Sequence, residues 1–310
     1  MSLPSPPPAG VYTPIPTFFK KDGYAIDYDA IVAHCQFLHK AGIQGAAIHG
    51  STGEGVHLTR TERVEVIKRV RAALPADFVI LGGVVQNSLQ EALDEVEALK
   101  SAGAAYALTL GSNYFGLAIK QQGIIDWFTS FADKSALPVL LYVYPGVSNG
   151  LSLSPETIIH LSAHKNIVGC KISHGDVSHH TLIGLSPEIQ KNNFLPLTGL
   201  GQLLLPVLTV GFKGTVDAIS GAFPKIYVKV FNLFQEGKID EARKYQLVIS
   251  RAEEIVVKSG VIGIKTAIHK ATGFGESVLG RAPLNQDVDA GAWASTLGYF
   301  DAITEVENSL

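Results

Sequence analysis

Eight short apolar runs, each followed by a longer stretch, constrain this chain more than any other feature of its sequence. They fall at 11–18, 45–49, 79–84, 105–110, 139–144, 167–172, 195–199 and 214–218. Each run is too short to hold a stable helix. Each is rich in Val, Ile, Leu or Ala and bounded by Gly, Pro or polar residues, the pattern of a strand buried on both faces. Several of the intervening stretches carry helix signals. Segment 27–41 opens on a carboxylate in capping position and stops before Gly42. Segment 59–74 opens Thr-Arg-Thr-Glu, in which Thr59 and Glu62 can each satisfy an orphan N–H. Segment 88–102 starts with Ser and stops at Gly103, while 154–163 starts Ser-Pro-Glu, with Pro155 at a tolerated first-turn position. Nearly continuous apolar strands alternating with helices make a parallel sheet covered by helices. Eight repeats in roughly 225 residues favour an α/β fold of the closed (β/α)8 kind, a TIM barrel, over an open doubly wound sheet. The open sheet requires a Gly-x-Gly-x-x-Gly turn after its first strand, and none is there. Gly199-Leu200-Gly201 comes too late and is incomplete.

The strand signal ceases near Gly237, and 239–259, 262–272 and 290–308 have helical spacing, with Pro283 between the last two. The expected organisation is therefore a flexible Pro-rich leader over 1–10, a barrel over 11–236 and a C-terminal helical extension over 237–310. The leader lacks the basic and apolar regions of a secretory signal. No run reaches the about 18 uninterrupted apolar residues of a spanning helix. Cys35 and Cys170 form no scaffold pattern, which suggests reduced thiols and a cytoplasmic setting. A formal charge of −3 without any basic block leaves nucleic acid and membrane surfaces without an electrostatic footprint. A small-molecule partner remains, because a pocket needs local donors rather than net charge.

In a β/α barrel the reactive groups sit at the carboxyl ends of strands. Strand two ends in His49-Gly50-Ser51-Thr52-Gly53-Glu54, strand five in Leu141-Tyr142-Val143-Tyr144-Pro145, and strand six in Gly169-Cys170-Lys171-Ile172-Ser173. A lysine inside an apolar strand must leave water, which disfavours its ammonium form and lowers its pKa from about 10.4. A neutral amine can attack a ketone and form an imine. The protonated imine then draws electrons from the adjacent carbon, so that carbon–carbon bonds there form or break without a metal or cofactor. Taken singly, each residue has a plainer reading. Lys171 could snorkel to the barrel rim, Gly-Ser-Thr-Gly could be only a turn, and Tyr142 could be a core tyrosine.

Together the three resemble one family. Gly50-Ser51-Thr52-Gly53-Glu54, Tyr142-x-x-Pro145 and Gly169-x-Lys171, with the opening Tyr12-Thr13-Pro14-Ile15-Pro16-Thr17-Phe18, are similar to the dihydrodipicolinate synthase / N-acetylneuraminate lyase family of class I aldolases. The resemblance runs from about Val11 to Gly280, nearly the whole chain, and the ordered set is far more specific than any one motif. It implies that Lys171 forms the imine, that Tyr142 transfers the proton and that Ser51 links to that tyrosine. It further implies that Thr52 holds the keto-acid carboxylate, and more loosely that Gly199 and Val216 offer backbone contacts to the bound keto acid. Ser173, two residues beyond the lysine, could reach a substrate hydroxyl. A homotetramer or homodimer is usual in the family.

Three departures bear on the substrate. Val143 replaces the family's Asn. Pro145-Gly146-Val147-Ser148-Asn149-Gly150 is one residue longer than the family's Pro-x-Arg-x-Gly and lacks its arginine, the partner of a second substrate carboxylate in the synthases. Ser112-Asn113-Tyr114-Phe115 stands where the synthases show Thr-Pro-Tyr-Tyr, so Phe115 offers no hydroxyl to a proton relay between subunits. These changes point away from the lysine-biosynthetic synthase. They look like aldolases that split 2-keto-3-deoxy hexonates into pyruvate and glyceraldehyde. Gly169-x-Lys171 followed by Gly175-Asp176-Val177 also resembles 4-hydroxy-2-oxoglutarate aldolases, the second reading. A dehydratase of the same family and a non-catalytic keto-acid-binding barrel complete the alternatives.

A metal-dependent aldolase would need a His/Asp/Glu shell. The chain has ten histidines, but His174, His179 and His180 fit no standard zinc spacing. Exhaustive chelation should leave activity at its full value. Activity lost to chelation and restored by a divalent metal would replace the imine reading.

Overall fold

The eight apolar runs pair as parallel strands because burial on both faces leaves their backbone groups no partner but each other. In the computed structural model, which describes residues 4–310, they are β1 (Gly10–Ile15), β2 (Gly45–Ile48), β3 (Val79–Val84), β4 (Tyr106–Thr109), β5 (Val139–Val143), β6 (Ile167–Ile172), β7 (Leu195–Thr198) and β8 (Gly214–Val216). Neighbours pair in chain order, and β8 closes on β1 through Gly10 opposite Gly214 and Tyr12 opposite Val216. The outer ring is α1 (Tyr28–Lys40), α2 (Arg60–Ala73), α3 (Leu89–Ala102), α4 (Gln121–Lys134), α5 (Pro155–Ser162), α6 (Val177–Gly184), α7 (Pro187–Lys191), α8 (Leu204–Leu208) and α9 (Pro224–Gln235). The expected (β/α)8 barrel is the fold. Its helix starts are those that the capping residues announced. Asp27, Ser88 and Ser154 accept first-turn N–H groups, and Thr59 with Glu62 forms a reciprocal capping box.

Side chains sort into two layers. Ala47, Leu81, Leu108, Leu140, Leu197 and Val216 belong to the cluster inside the barrel, while Ile48, Ile80, Leu141 and Cys170 pack outward against the helices. A strand alternates faces strictly, so Val168 inside would put Lys171 outside. A register shift resolves the conflict. Val139 pairs Ile167 but Leu140 pairs Gly169, which skips Val168 and turns Lys171 to the interior beside its partner Tyr142. Gly169 permits this, since a Cβ there would press on the Leu195 carbonyl of the next strand.

After the barrel come α10 (Ile239–Ala252), α11 (Glu254–Thr272), α12 (Ala290–Ala294) and α13 (Leu297–Ser309). The break expected at 260–261 is a kink inside α11, where Gly260 takes φ 54°, ψ −144°. The segment read as one helix over 290–308 is two, separated at Ser295-Thr296. The described part of the leader is tied down. Tyr12 donates to the Pro8 carbonyl at 2.6 Å, Tyr106 to Ser5 at 3.1 Å and Asn193 to Pro4 at 2.6 Å. Residues 1–3 of the leader lie outside the described residues. No described helix is long and apolar enough to cross a membrane.

The extension is locked to the barrel mouth by a buried ion pair. Lys265 of α11 donates to Glu54, which sits just past the Ser51-Thr52 loop, and to the Leu279 carbonyl at 3.1 Å. The second oxygen of Glu54 accepts the Arg281 N–H at 3.1 Å. Removing one partner strands a buried charge, so Lys265→Met should cost about 3–5 kcal/mol in denaturant unfolding. Arg243→Ala, at a fully exposed pair with Asp240, should leave the unfolding midpoint unchanged.

Candidate active site

Parallel pairing of β5 with β6 sets Tyr142 opposite Lys171 at the carboxyl end of the barrel. Lys171 is 4% exposed, not snorkelled to the rim. Its Nζ lies 3.4 Å from the Tyr142 hydroxyl and 4.5 Å from the centre of that ring. The Tyr142 hydroxyl is in turn 2.9 Å from Ser51 Oγ. Ser51 reaches it because the β2 loop folds back tightly. His49 and Glu54 both adopt left-handed backbone, and Gly53 and Gly55 lie where any Cβ would strike the His49 backbone.

Lys171, Tyr142, Ser51, Thr52, Ser173, Gly199 and Val216 all line one cavity of about 140 Å³. The sequence-predicted site residues are thus brought together by five different strand ends. Gly199 makes the closest approach. A Cβ there would overlap Ser173 Oγ and come within 2.9 Å of Lys171 Cε. Of the departures, Val143 faces the outer core, away from Lys171. Phe115 is 70% exposed on the rim, with its edge against Tyr114. The longer loop after β5 is pinned to the loop after β4, Asn149 Nδ2 donating to the carbonyls of Asn113 at 3.1 Å and Tyr114 at 3.2 Å. Tyr144 and Val147 reach the cavity from it. Among the described residues no arginine lines the cavity, and Lys171 is its one basic side chain.

Sequence reasoning missed the far wall. Asp217, just past β8, and Glu253, between α10 and α11, are buried and line the same cavity, with Val256, Gly260, Val261 and Ile264 of α11. Asp217 accepts N–H groups from Gly201 at 2.8 Å and Ser220 at 3.1 Å. Glu253 accepts the Tyr227 hydroxyl and stands near enough to Asp217 to feel its charge. Two carboxyls in one dry site cannot both ionise. Burial, then the Asp217 charge, pushes Glu253 well above the usual carboxylate range. Burial raises Asp217 too, against the pull of its donors. An aspartate ending an apolar run was a readable signal. Glu253, within Arg-Ala-Glu-Glu, reads as a solvated helix face and gave none.

The histidines form no second centre. His174 stacks on His179 at 4.6 Å, and burial lowers both. Neither these two nor His180 lines the cavity. Among the described residues no group of three His, Cys, Asp or Glu is placed to hold a metal ion.

The sequence model of the dihydrodipicolinate synthetase family matches residues 7–290. An L-threo-3-deoxy-hexylosonate aldolase of Hypocrea jecorina is 33% identical over 98% of both chains. A protein of Emericella nidulans named probable 4-hydroxy-2-oxoglutarate aldolase, mitochondrial, is 31% identical over 86% of both. The crystal structure of a dihydrodipicolinate synthase family protein from Coccidioides immitis superposes with a TM-score of 0.86 at 26% identity, covering 99% of each chain.

Two substitutions test the cluster. Tyr142→Phe keeps the ring and removes the hydroxyl that bonds both Lys171 and Ser51, so kcat should fall by roughly 10²–10⁴-fold, as loss of a general acid–base does. Gly199→Ala should cut borohydride-trapped pyruvate on Lys171 roughly tenfold or more by overpacking against the amine, measured by intact-protein mass. Unchanged values in both would separate these side chains from the chemistry.

Proposed function

Since the chain belongs to the dihydrodipicolinate synthetase family of class I aldolases, we propose that it cleaves a 2-keto-3-deoxy sugar acid, 2-keto-3-deoxy-L-galactonate in the first instance, to pyruvate and glyceraldehyde. The observation that carries this reading is the contact of a buried lysine with a tyrosine that is itself bonded to Ser51. Lys171 Nζ adds to the C2 ketone and water leaves, giving a protonated imine. Tyr142 gives its hydroxyl proton to that departing water, so that its oxygen can then take the proton of the C4 hydroxyl. The C3–C4 bond breaks, its electrons pass to the iminium, and the aldehyde departs. The enamine left behind is protonated at C3 by Tyr142, and water hydrolyses the imine to free pyruvate and the amine. Ser51, bonded to the Tyr142 hydroxyl, holds that oxygen in place, while Ser51 and Thr52 bind the C1 carboxylate. Ser173 meets a hydroxyl, and Gly199 and Val216 offer backbone to the keto acid.

The choice of a neutral aldehyde rests on the missing arginine, since nothing else in the cavity pairs a second carboxylate. The name of the Hypocrea relative supports it. The name of the Emericella relative favours cleavage of 4-hydroxy-2-oxoglutarate instead, so that compound is the necessary competitor. Association into a homodimer or homotetramer draws support from Tyr114, Phe115 and Leu117, which expose 72%, 70% and 87% of their surface in one loop beside the site. The buried free thiols of Cys35 and Cys170 support a reducing compartment such as the cytoplasm.

Borohydride with pyruvate should add one pyruvate-derived mass to Lys171, and Lys171→Ala should abolish both the adduct and turnover. A panel of 2-keto-3-deoxy acids read by lactate-dehydrogenase-coupled pyruvate release should rank the L-galactonate derivative first. Turnover surviving Lys171→Ala, or a clear preference for condensation with aspartate semialdehyde, would overturn the proposal.

A further inference from the structure

We propose that Asp217 and Glu253 are specificity-determining residues that accept the hydroxyl groups of an uncharged aldehyde and repel an aldehyde bearing a carboxylate. The inference rests on the reading of this cavity as a pyruvate-dependent aldolase site and adds which side chains choose the second half of the substrate.

Placement makes the case. The keto-acid half is fixed at one end, where Lys171, Tyr142, Ser51 and Thr52 meet. Another part of the lining is the junction of β8 with the start of α11. Its polar groups are Asp217 and Glu253, set among Val256, Val261 and Ile264. Once C2 is bound to Lys171, the chain beyond C4 has this wall to meet. The pair is held rigidly. Asp217 is clamped by the N–H groups of Gly201 and Ser220, and Glu253 by the Tyr227 hydroxyl. Gly201 gives them room, because a Cβ there would fall on Glu253 and Tyr227. With one proton between two carboxyls, the wall presents acceptors and one negative charge. A hydroxyl donates to such a wall. A carboxylate brought to it adds like charge in a site whose one basic side chain is already committed to the imine, the repulsive element that selectivity needs.

Two acceptor aldehydes of the same carbon number test the charge. Glycolaldehyde and glyoxylate differ in a CH₂OH against a COO⁻. In pyruvate condensation followed by product chromatography, the full-length wild type should favour glycolaldehyde in kcat/KM by roughly tenfold or more, the scale set by one unpaired or repelled charge. The double variant Asp217→Asn, Glu253→Gln keeps the shape and removes the charge. It should lose most of that preference by gaining on glyoxylate, whereas a structural role would lower both aldehydes equally. Glu253→Gln alone leaves the charge on Asp217 and should keep the preference. Equal use of both aldehydes by the wild type overturns the inference and needs no variant to fold, as does a folded double variant whose ratio is unchanged. Borohydride trapping of pyruvate on the wild type separates the two levels. With the adduct present, a failed ratio sinks only the selectivity inference, whereas its absence sinks the aldolase reading and the inference with it.

Discussion

The site depends on one irregularity in the β5–β6 ladder. Strand alternation would send Lys171 outward among the helices if Val168 keeps its place inside. Skipping Val168 at Gly169 lets two inward residues, Val168 and Lys171, stand three apart, and it brings Lys171 level with Tyr142. Everything chemical follows from that pairing: a dry amine, a hydroxyl 3.4 Å away, and a second hydroxyl behind it. The cost is local, a glycine in a strand and a residue left out of the ladder. The family spacing Gly-x-Lys is thus a backbone requirement as much as a catalytic one. Glycine makes the bulge, the intervening Cys170 fills the outer core, and lysine takes the inner position.

A barrel mouth is open by construction, and here the C-terminal extension closes one side of it. Lys265 anchors α11 to Glu54, the residue that ends the Gly50-Ser51-Thr52-Gly53 turn. The anchor therefore acts twice, holding the extension down and fixing the loop that carries Ser51. Gly260 then bends α11, and residues on both sides of the bend, from Val256 to Ile264, face the cavity. The extension belongs to the site as well as to the fold.

Legibility in the sequence followed how local each signal was. Strand runs, caps such as Thr59 with Glu62, and the motif residues Ser51, Tyr142 and Lys171 carry their information within a few positions. They could be read directly. The helix over 290–308 was misjoined because Ser295 and Thr296 interrupt it without a proline or glycine to mark the break. Residues 4–9 read as floppy on composition, yet their carbonyls meet Tyr12, Tyr106 and Asn193, partners as much as 189 positions away. Glu253 is the extreme case. Its neighbours along the chain are Ala252 and Glu254, ordinary for an exposed helix. Its neighbours in space are Asp217 and Tyr227, which only the closed barrel supplies.

The absent arginine and the buried Asp217 say the same thing about charge from opposite ends of the cavity. On the proposed mechanism the substrate is a protonated imine, so one positive charge at Lys171 shares the enclosed space with two acidic groups, the C1 carboxylate and the Asp217–Glu253 pair. The hydroxyls of Ser51 and Thr52 can serve the first of these, and the Gly201 and Ser220 N–H groups already serve the second. A further carboxylate would find no cation among the residues lining that wall, and it would have to shed its water to enter. Tyr144 and Val147 line the cavity beside β5, and neither carries a positive charge to pair with an anion. A hydroxylated chain faces none of these penalties, since each hydroxyl can donate to the acid pair and rest its carbons on Val256, Val261 and Ile264. The electrostatics of the far wall therefore select for the polarity of the aldehyde, while the near wall selects only for the keto acid.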